Sequence, residues 1–264
     1  MYWQITNAVK CWCLILLMGV GNAHADTLTV GLGNFEPYFS NSADQGLFTD
    51  IINRTFALIP EHSVSYVFNL PNPRLVHGLN EQVLDGAANI FSQQQIIGCL
   101  TQPVFYYLNV AISKQNRQFE LEQISDLSGH SIAAYQGATE LLGPRYMLAV
   151  KGAKAYEEVI EPVMQAKLLS GNLVDISIND TFIFLHSLKK WSGAQYQAEN
   201  YRFHDILPRV STYMGFNKQQ YCDGFDKAFS QLKASGELNK IYLTHLQAFG
   251  VLPQRLSLSY MNTN

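Results

Sequence analysis

The chain has 264 residues, of which 47% are hydrophobic and 15% charged, and its formal net charge is -3. This composition excludes a disordered chain, which has too little apolar surface to bury, and the length excludes a minimal disulfide-stapled module. The sequence pI of about 6.1 gives no sign of the basic surface that nucleic-acid binding requires. We therefore expect one large domain or two lobes of ordinary size, without a nucleic-acid partner.

The N-terminal segment has the pattern of an export signal. Lys10 precedes an uninterrupted apolar run at residues 11–20, and residues 23–25 (AHA) supply the small-x-small pattern of a cleavage site. The run is about half of the ~20 residues that span a bilayer, so a membrane anchor is the less favoured alternative. We expect cleavage after Ala25 and an exported mature chain of residues 26–264.

Two cysteines, Cys99 and Cys222, remain after the predicted cleavage. Export to an oxidising compartment makes a disulfide between them possible, and two cysteines allow only one intramolecular pairing. Two separate buried thiols are the alternative. Neither cysteine has a histidine or a second cysteine nearby at metal-ligand spacing, so we expect no metal site there.

Strands and helices alternate in the first part of the mature chain. Leu28, Val30 and Leu32 alternate with Thr29 and Gly31, which is typical of a half-buried strand. The predicted elements are a strand at 28–32, a helix from 46 to 60, a strand at 64–68, a helix from 72 to 85 and a buried strand at 87–91. This βαβαβ order predicts a sheet with parallel strands that is covered by helices.

The second part repeats the same alternation. The predicted elements are strands at 110–113, 131–135, 174–178 and 210–216, helices beginning at 140 and 180, a helical face at 163–169, and two closing helices that end near 236 and 249. There is no low-complexity linker and no internal sequence repeat. The sequence therefore predicts two α/β units without a flexible joint.

Short motifs follow one another in a specific order along almost the whole mature chain. They are Asn34-Phe35-Glu36-Pro37-Tyr38, Gly46-Leu47-Phe48-Thr49-Asp50, Leu84-Asp85-Gly86-Ala87, Thr101-Gln102-Pro103-Val104-Phe105-Tyr106, Leu127-Ser128-Gly129-His130-Ser131-Ile132-Ala133, and Gly171-Asn172-Leu173-Val174-Asp175 with Asp180. The closing helices, with Phe225, Leu232, Gly236 and Ile241-Tyr242, complete the series. In this order and spacing the chain resembles the family 3 periplasmic solute-binding proteins, the polar amino-acid binders of ABC importers.

The resemblance implies an α/β fold of the two-lobed periplasmic-binding-protein type II, in which each lobe is a central sheet flanked by helices and two crossover strands join the lobes. Lobe 1 would comprise residues 26–109 and 214–250, lobe 2 residues 110–213, and residues 251–264 a C-terminal tail. A small polar solute would bind between the lobes, where the carboxyl ends of the strands face each other. An inner-membrane ABC permease would then receive it from a monomeric binding protein.

The resemblance also implies a set of ligand-binding residues. Phe35 and Tyr38 follow the first strand, where the family places aromatic side chains, and Asn89, Ile90 and Phe91 end the strand after Asp85-Gly86. The amide oxygen of Asn89 could accept a hydrogen bond from a ligand ammonium. Thr139 begins a helix whose free N–H groups suit a carboxylate, and Asp180 matches the family's ammonium-binding carboxylate. A plain N-cap role is the alternative for both Thr139 and Asp180, and a core aromatic is the alternative for Phe35 and Tyr38.

The chain departs from the family where the ligand's carboxylate should bind. Amino-acid binders carry an arginine just after the strand that follows Asp85-Gly86, and its guanidinium grips the carboxylate bidentately. Here residues 91–98 (FSQQQIIG) contain no arginine. Arg74, at the start of the second helix, is the nearest cation on that rim, and a solvated surface arginine is its alternative reading. An α-amino acid is therefore not a safe prediction for the ligand. A sugar-like, an aromatic or a peptide-like compound, or no tightly bound ligand at all, remains open.

Covalent chemistry has little support in the sequence. There is no G-x-S-x-G, no P-loop, no G-x-G-x-x-G and no histidine pair at metal-ligand spacing, so we expect no catalytic residue, no metal and no cofactor. Two alternatives to transport remain open. One is an exported enzyme on the same fold, such as a dehydratase, and the other is a ligand sensor that acts on a membrane receptor.

Overall fold

The computed structural model describes residues 26–40 and 46–250, so the predicted export signal and C-terminal tail lie outside the described residues. The first part of the chain forms β1 (Asp26–Gly31), α1 (Leu47–Phe56), β2 (His62–Val67), α2 (Asn72–Asn80), β3 (Gly86–Ile90) and β4 (Cys99–Tyr107). These alternating elements agree with the predicted βαβαβ order.

The second part contains a further series of strands and helices before the chain returns to the first sheet. It forms β5 (Asn109–Lys114), β6 (Ser131–Tyr135), α3 (Ala138–Leu141), α4 (Gly143–Lys151), β7 (Ala155–Val159), α5 (Pro162–Ser170), β8 (Ile176–Asp180), α6 (Thr181–Ser192) and β9 (Tyr201–His204). The returning segment forms β10 (Val210–Phe216), α7 (Gln219–Ala234) and α8 (Glu237–Ala248).

The strands form two five-stranded mixed sheets. The first sheet has the order β2-β1-β3-β10-β4, in which β1 is parallel to β2 and β3 while β10 is antiparallel to β3 and β4. The second sheet has the order β7-β6-β8-β5-β9, in which β6 is parallel to β7 and β8 while β5 is antiparallel to β8 and β9. Each sheet thus receives one antiparallel strand through a crossover, which matches the predicted pair of crossover strands.

The two crossovers lie close to the predicted lobe boundaries. Strand β5 begins at Asn109, one position before the predicted start of lobe 2. Strand β10 begins at Val210 and pairs with β4 from its first residue, so residues 210–213 belong to the first sheet and not to the second. The boundary predicted between residues 213 and 214 therefore falls inside a strand.

Three strands that the sequence analysis did not predict, β4, β7 and β9, are edge strands of the two sheets. An edge strand faces solvent along one side, so it does not need a continuous run of apolar residues. Strand β7 (AYEEV) has two carboxylates and no fully buried residue, and β9 has four residues. The composition of β7 and the shortness of β9 therefore give little periodic signal.

The core of the first sheet also includes part of the second unit. Helix α6 follows β8 of the second sheet, yet Phe182 and Leu185 from this helix are buried in the cluster around β1, α1, α7 and α8. The ring of Phe182 lies 5.8 Å from that of Tyr38 and 6.2 Å from that of Tyr242. This packing joins the two units through α6.

The sulfur atoms of Cys99 and Cys222 are bonded to each other and join β4 to α7. The bridge closes a loop with a sequence separation of 123 residues. In the chain-entropy model a loop of this length restricts the unfolded chain by about 4–5 kcal/mol.

We expect the double variant Cys99→Ala with Cys222→Ala to melt at a temperature lower by on the order of 10 °C, because the unfolded chain regains that entropy. Thermal unfolding followed by circular dichroism measures the shift. A reducing agent should lower the melting temperature of the unaltered chain but not that of the double variant. Equal melting temperatures with and without reductant would contradict the bridge.

Candidate functional site

A cleft of about 320 Å³ lies between the two sheets, near the carboxyl ends of their parallel strands. It is lined by residues of both sheets, including the ends of the strands that flank the two crossovers. The lining residues are Phe35, Asn89, Phe91, Tyr107, Asn109, Tyr135, Gln136, Leu141, Ile160, Pro162, Asn179, Asp180, Ile183 and Val210. Most of these side chains are apolar or aromatic, and the polar ones are mainly amides, which is a typical composition for a small-molecule site.

Three predicted ligand contacts, Phe35, Asn89 and Phe91, line the cleft from the side of the first sheet, together with Tyr107 and Val210. Phe35 lies in the loop after β1 and remains 47% exposed, so its ring is available to a ligand. Asn89 has a φ of 64°, a left-handed conformation that asparagine adopts more readily than most residues. Its amide oxygen accepts hydrogen bonds from the hydroxyls of Tyr107 (2.8 Å) and Thr212 (2.9 Å). The oxygen that we predicted for a ligand ammonium therefore already has two protein donors.

Asp180 is the most constrained residue of the cleft. It is 2% exposed, and one carboxylate oxygen accepts from the N–H groups of Phe182 (2.9 Å) and Ile183 (3.0 Å), as an N-cap of α6 does. The other oxygen accepts from the hydroxyl of Tyr38 and from the N–H of Leu108, both at 2.6 Å. Asp180 therefore combines the predicted position in the cleft with the N-cap role that was its alternative.

Burial raises the pKa of Asp180 to about 6, and the hydrogen bonds from Tyr38, Ile183, Leu108 and Phe182 offset only part of this rise. At neutral pH the carboxylate is mostly ionised. Among the described residues no arginine, lysine or histidine forms an ion pair with it. The cleft therefore contains a buried negative charge without a protein cation beside it.

Two predicted ligand contacts, Tyr38 and Ile90, lie in the core instead of the cleft. Both side chains are 0% exposed and neither lines the cleft. The ring of Tyr38 stacks on Phe48 at 4.0 Å, and its hydroxyl donates to Asp180. Ile90 packs with Leu75, which belongs to α2. Ile90 and Phe91 are neighbours at the end of an extended strand, so their side chains point to opposite sides. Tyr38 lies in a turn that begins after Phe35, and this turn directs its ring into the core.

Thr139 does not line the cleft either, because an internal carboxylate occupies its donors. The N–H (3.1 Å) and the hydroxyl (3.0 Å) of Thr139 both donate to Glu158, which also accepts from the N–H of Gly137 (2.8 Å) and the hydroxyl of Tyr156 (2.9 Å). Glu158 comes from β7, where it pairs with Ala134 of β6. The groups predicted to receive a ligand carboxylate therefore donate to a carboxylate of the protein itself, that of Glu158.

The electrostatics of Glu158 fit this role. Burial alone would raise the pKa of Glu158, but the hydrogen bonds from Gly137, Thr139 and Tyr156 outweigh it and hold the pKa below its ordinary value. The carboxylate is therefore ionised at neutral pH, and its negative charge lies near the loop between β6 and α3.

Arg74 lies on the exposed side of α2 and does not line the cleft. The segment that should hold the family's arginine has a structural role instead. Gln94 accepts a hydrogen bond from the N–H of Phe91 (2.9 Å) and donates to the side-chain oxygen of Asn72, whose amide in turn donates to the carbonyl of Asn89 (2.8 Å). Glutamine here fixes the end of β3 to the start of α2.

Several lining residues were not predicted from the sequence. Three of them lie at the ends of the strands that flank the crossovers, namely Tyr107, Asn109 and Val210. Tyr135 is the last residue of β6, and Gln136 follows it. The rule that ligands bind at the carboxyl ends of parallel strands would have identified the pair at β6. Ile160 and Pro162 follow β7, which was itself not predicted. Burial raises the pKa of Tyr135, so its phenol is neutral.

Within residues 26–40 and 46–250 there is no group of three or more histidine, cysteine or carboxylate side chains that could hold a metal ion. In the same ranges no helix has the length and apolar character needed to cross a bilayer.

The fold and the cleft place the chain among proteins with the two-lobed type II binding fold, as the sequence predicts. It superimposes on the unliganded L-cystine solute receptor of Neisseria gonorrhoeae with a TM-score of 0.65 and 20% identity over 84% of this chain and 94% of that one. The GluR0 ligand-binding core in complex with L-glutamate gives a TM-score of 0.64 and 15% identity over 84% and 99%. A probable amino-acid ABC transporter extracellular-binding protein of Bacillus subtilis gives 0.63 and 19% over 84% and 99%.

At these identities the likeness establishes the fold. No protein-family model and no curated protein sequence matches the chain.

We expect Glu158→Gln to destabilise the chain by about 1–2 kcal/mol at pH 7, since four donors lose a charged acceptor. Because the folded-state pKa lies below the unfolded one, this stabilisation exists above about pH 4.3 and is lost as the pH falls through the folded-state pKa. Urea unfolding at pH 7 and near pH 3.5 measures the free energy of unfolding of both proteins. The difference in this free energy between the variant and the unaltered chain should be smaller at the lower pH.

Glu157→Gln is the matched control, because Glu157 is the exposed neighbour on the same strand. Its effect should stay within about 0.5 kcal/mol at both pH values. Equal losses for the two variants would show that the bonds to Glu158 contribute no specific stability.

Proposed function

We propose that the chain is a periplasmic solute-binding protein that captures a small organic solute between two lobes and delivers it to the permease of an ABC importer. One observation carries the proposal, namely that a single cleft takes its lining from both sheets. Phe35 and Phe91 belong to the first sheet's side, and Tyr135 and Asp180 to the second. A ligand that contacts both sides stabilises the closed arrangement over the open one by its differential affinity.

Two short connections between the sheets support such closure. Leu108 alone lies between β4 and β5, and residues 205–209 lie between β9 and β10. Hinge closure around ligands uses a few residues of this kind, which absorb the changes in backbone angles. The lobes of the proposal are residues 26–109 with 210–250 and residues 110–209, which differ from the predicted bounds in that β10 belongs entirely to the first lobe.

The fold neighbours support a binding role. They are an L-cystine solute receptor, a ligand-binding core and a probable extracellular-binding protein of an amino-acid transporter. We carry over the general role of solute binding and not a particular amino acid. The reason is that residues 91–98 lack the arginine that the resemblance implies for the ligand's carboxylate.

The proposal assigns no enzymatic activity. A dehydratase on this fold would need a carboxylate in the cleft that exchanges a proton with the substrate. Asp180 is the ionisable carboxylate in the lining, and all four of its lone-pair directions are used by protein donors. Chromatography of candidate substrates after incubation with the protein tests for a product.

Export to the periplasm is part of the same proposal. Cleavage after Ala25 would leave every described residue of strand β1 in the mature chain. The bridge between Cys99 and Cys222 is also typical of an oxidising compartment. We expect the protein recovered from the periplasm of an expressing bacterium to begin at Asp26, and intact-mass spectrometry measures this. Recovery of the full-length chain in the membrane fraction would favour an anchor.

The binding role is tested by a thermal-shift screen of amino acids, sugars and organic amines on residues 26–264. A ligand at ~100 times its dissociation constant stabilises a protein by about 2.7 kcal/mol, which this assay detects. Small-angle X-ray scattering should then show a smaller radius of gyration with the best compound, because the lobes close. Stabilisation without compaction would contradict the closure mechanism.

Phe35→Ala should weaken that compound's binding about tenfold, since a ligand loses an aromatic contact. Leu173→Ala is the control, because Leu173 is exposed and does not line the cleft. Reconstituted uptake with the cognate permease distinguishes delivery to an importer from signalling to a receptor.

A further inference from the structure

We propose that the cleft selects an organic cation without a carboxylate, meaning a protonated or alkylated amine on a compact apolar body, and that it disfavours α-amino acids. This inference rests on the proposed solute-binding role and names the ligand class for the same site. It follows from the charges, the aromatic side chains and the occupied hydrogen-bonding groups of the cleft.

The lining of the cleft carries a negative charge. Among the described residues that line the cleft, Asp180 is the one with a charged side chain, and that charge is negative. Arg209 is next to the lining residue Val210, but it forms an ion pair with Asp205 at 3.6 Å. A buried carboxylate without a protein cation beside it favours a ligand that supplies the positive charge. A ligand carboxylate would meet repulsion instead.

The groups suited to a ligand carboxylate already form hydrogen bonds within the protein. The N–H groups of Gly137 and Thr139 and the Thr139 hydroxyl donate to Glu158. Gln94 holds Asn72 in the segment where an arginine was expected, and Arg74 lies outside the lining. An amino acid would therefore bring a carboxylate into the cleft with neither a cation nor free donors to receive it.

The cleft would attract a ligand cation through a negative charge and through aromatic rings. Asp180 has four donors, so its attraction for a ligand cation acts through charge and not through a further hydrogen bond. Four aromatic side chains line the same cleft: Phe35, Phe91, Tyr107 and Tyr135. The faces of such rings attract organic ammonium groups, including those that carry no N–H. The combination of aromatic rings with one uncompensated carboxylate fits this ligand class.

Isothermal titration of the mature chain at pH 7 with three probes tests the inference. The probes are 2-phenylethylamine, L-phenylalanine, which adds a carboxylate to it, and 2-phenylethanol, which replaces the ammonium by a neutral hydroxyl. We expect the amine to bind at least tenfold more tightly than either of the others. Equal or tighter binding of L-phenylalanine would overturn the exclusion of carboxylates, and equal binding of 2-phenylethanol would overturn the selection of a cation.

A pair of charge-adding variants tests whether the cleft itself is responsible. Leu141 lines the cleft and is 38% exposed, while Leu148 in the same unit is 72% exposed and lies outside the lining. Leu141→Arg should weaken the amine at least tenfold, and Leu148→Arg should leave its affinity unchanged. Equal effects of the two variants, or binding of L-phenylalanine that Arg209→Gln abolishes, would overturn the inference.

The wider thermal-shift screen separates failure of this inference from failure of the proposed function. Compaction of the protein by an amino acid or another anionic or neutral solute, but not by any amine, overturns the inference and upholds solute binding. Absence of both stabilisation and compaction with every compound overturns solute binding and the inference together.

Discussion

The carboxylate of Asp180 connects three separate parts of the chain. It caps the start of α6 in the second unit, accepts the hydroxyl of Tyr38 from the first, and accepts the N–H of Leu108 in the crossover between them. Charge-assisted hydrogen bonds of this kind are the stronger ones in proteins. The position of α6, the crossover and the base of the cleft all depend on this one ionised group.

The chain tolerates a buried negative charge there because the donors are fixed by secondary structure. The N–H groups of Phe182 and Ile183 belong to the first turn of a helix, where backbone donors have no intrahelical partner. Burial nevertheless raises the pKa of Asp180, so the solvation that the group has lost is only partly replaced. The remaining cost of an ionised carboxylate is a local property of the cleft that a bound cation would reduce. Structure and ligand preference thus have a common physical origin in one side chain.

The sequence predicted the fold well and the site in part, for identifiable reasons. Apolar alternation and the order of short motifs are local signals, and they were sufficient for the two α/β units. Phe35, Asn89, Phe91 and Asp180 lie in the cleft because the ends of parallel strands meet there. The role of Glu158 could not be foreseen, because it depends on β7 lying beside β6, and an edge strand with two glutamates has no apolar pattern to reveal it.

The bridge between Cys99 and Cys222 lies at the start of β4, whereas the crossover begins at the other end of that strand. A nine-residue strand at ~3.3 Å per residue separates the two by roughly 27 Å. The covalent restraint therefore acts within one rigid unit and leaves the two connections to the other unit unconstrained. The restraint against unfolding therefore lies in a different part of the molecule from the connections that the proposed closure would use. The cleft can change in the course of evolution without loss of the restraint that keeps the first unit folded.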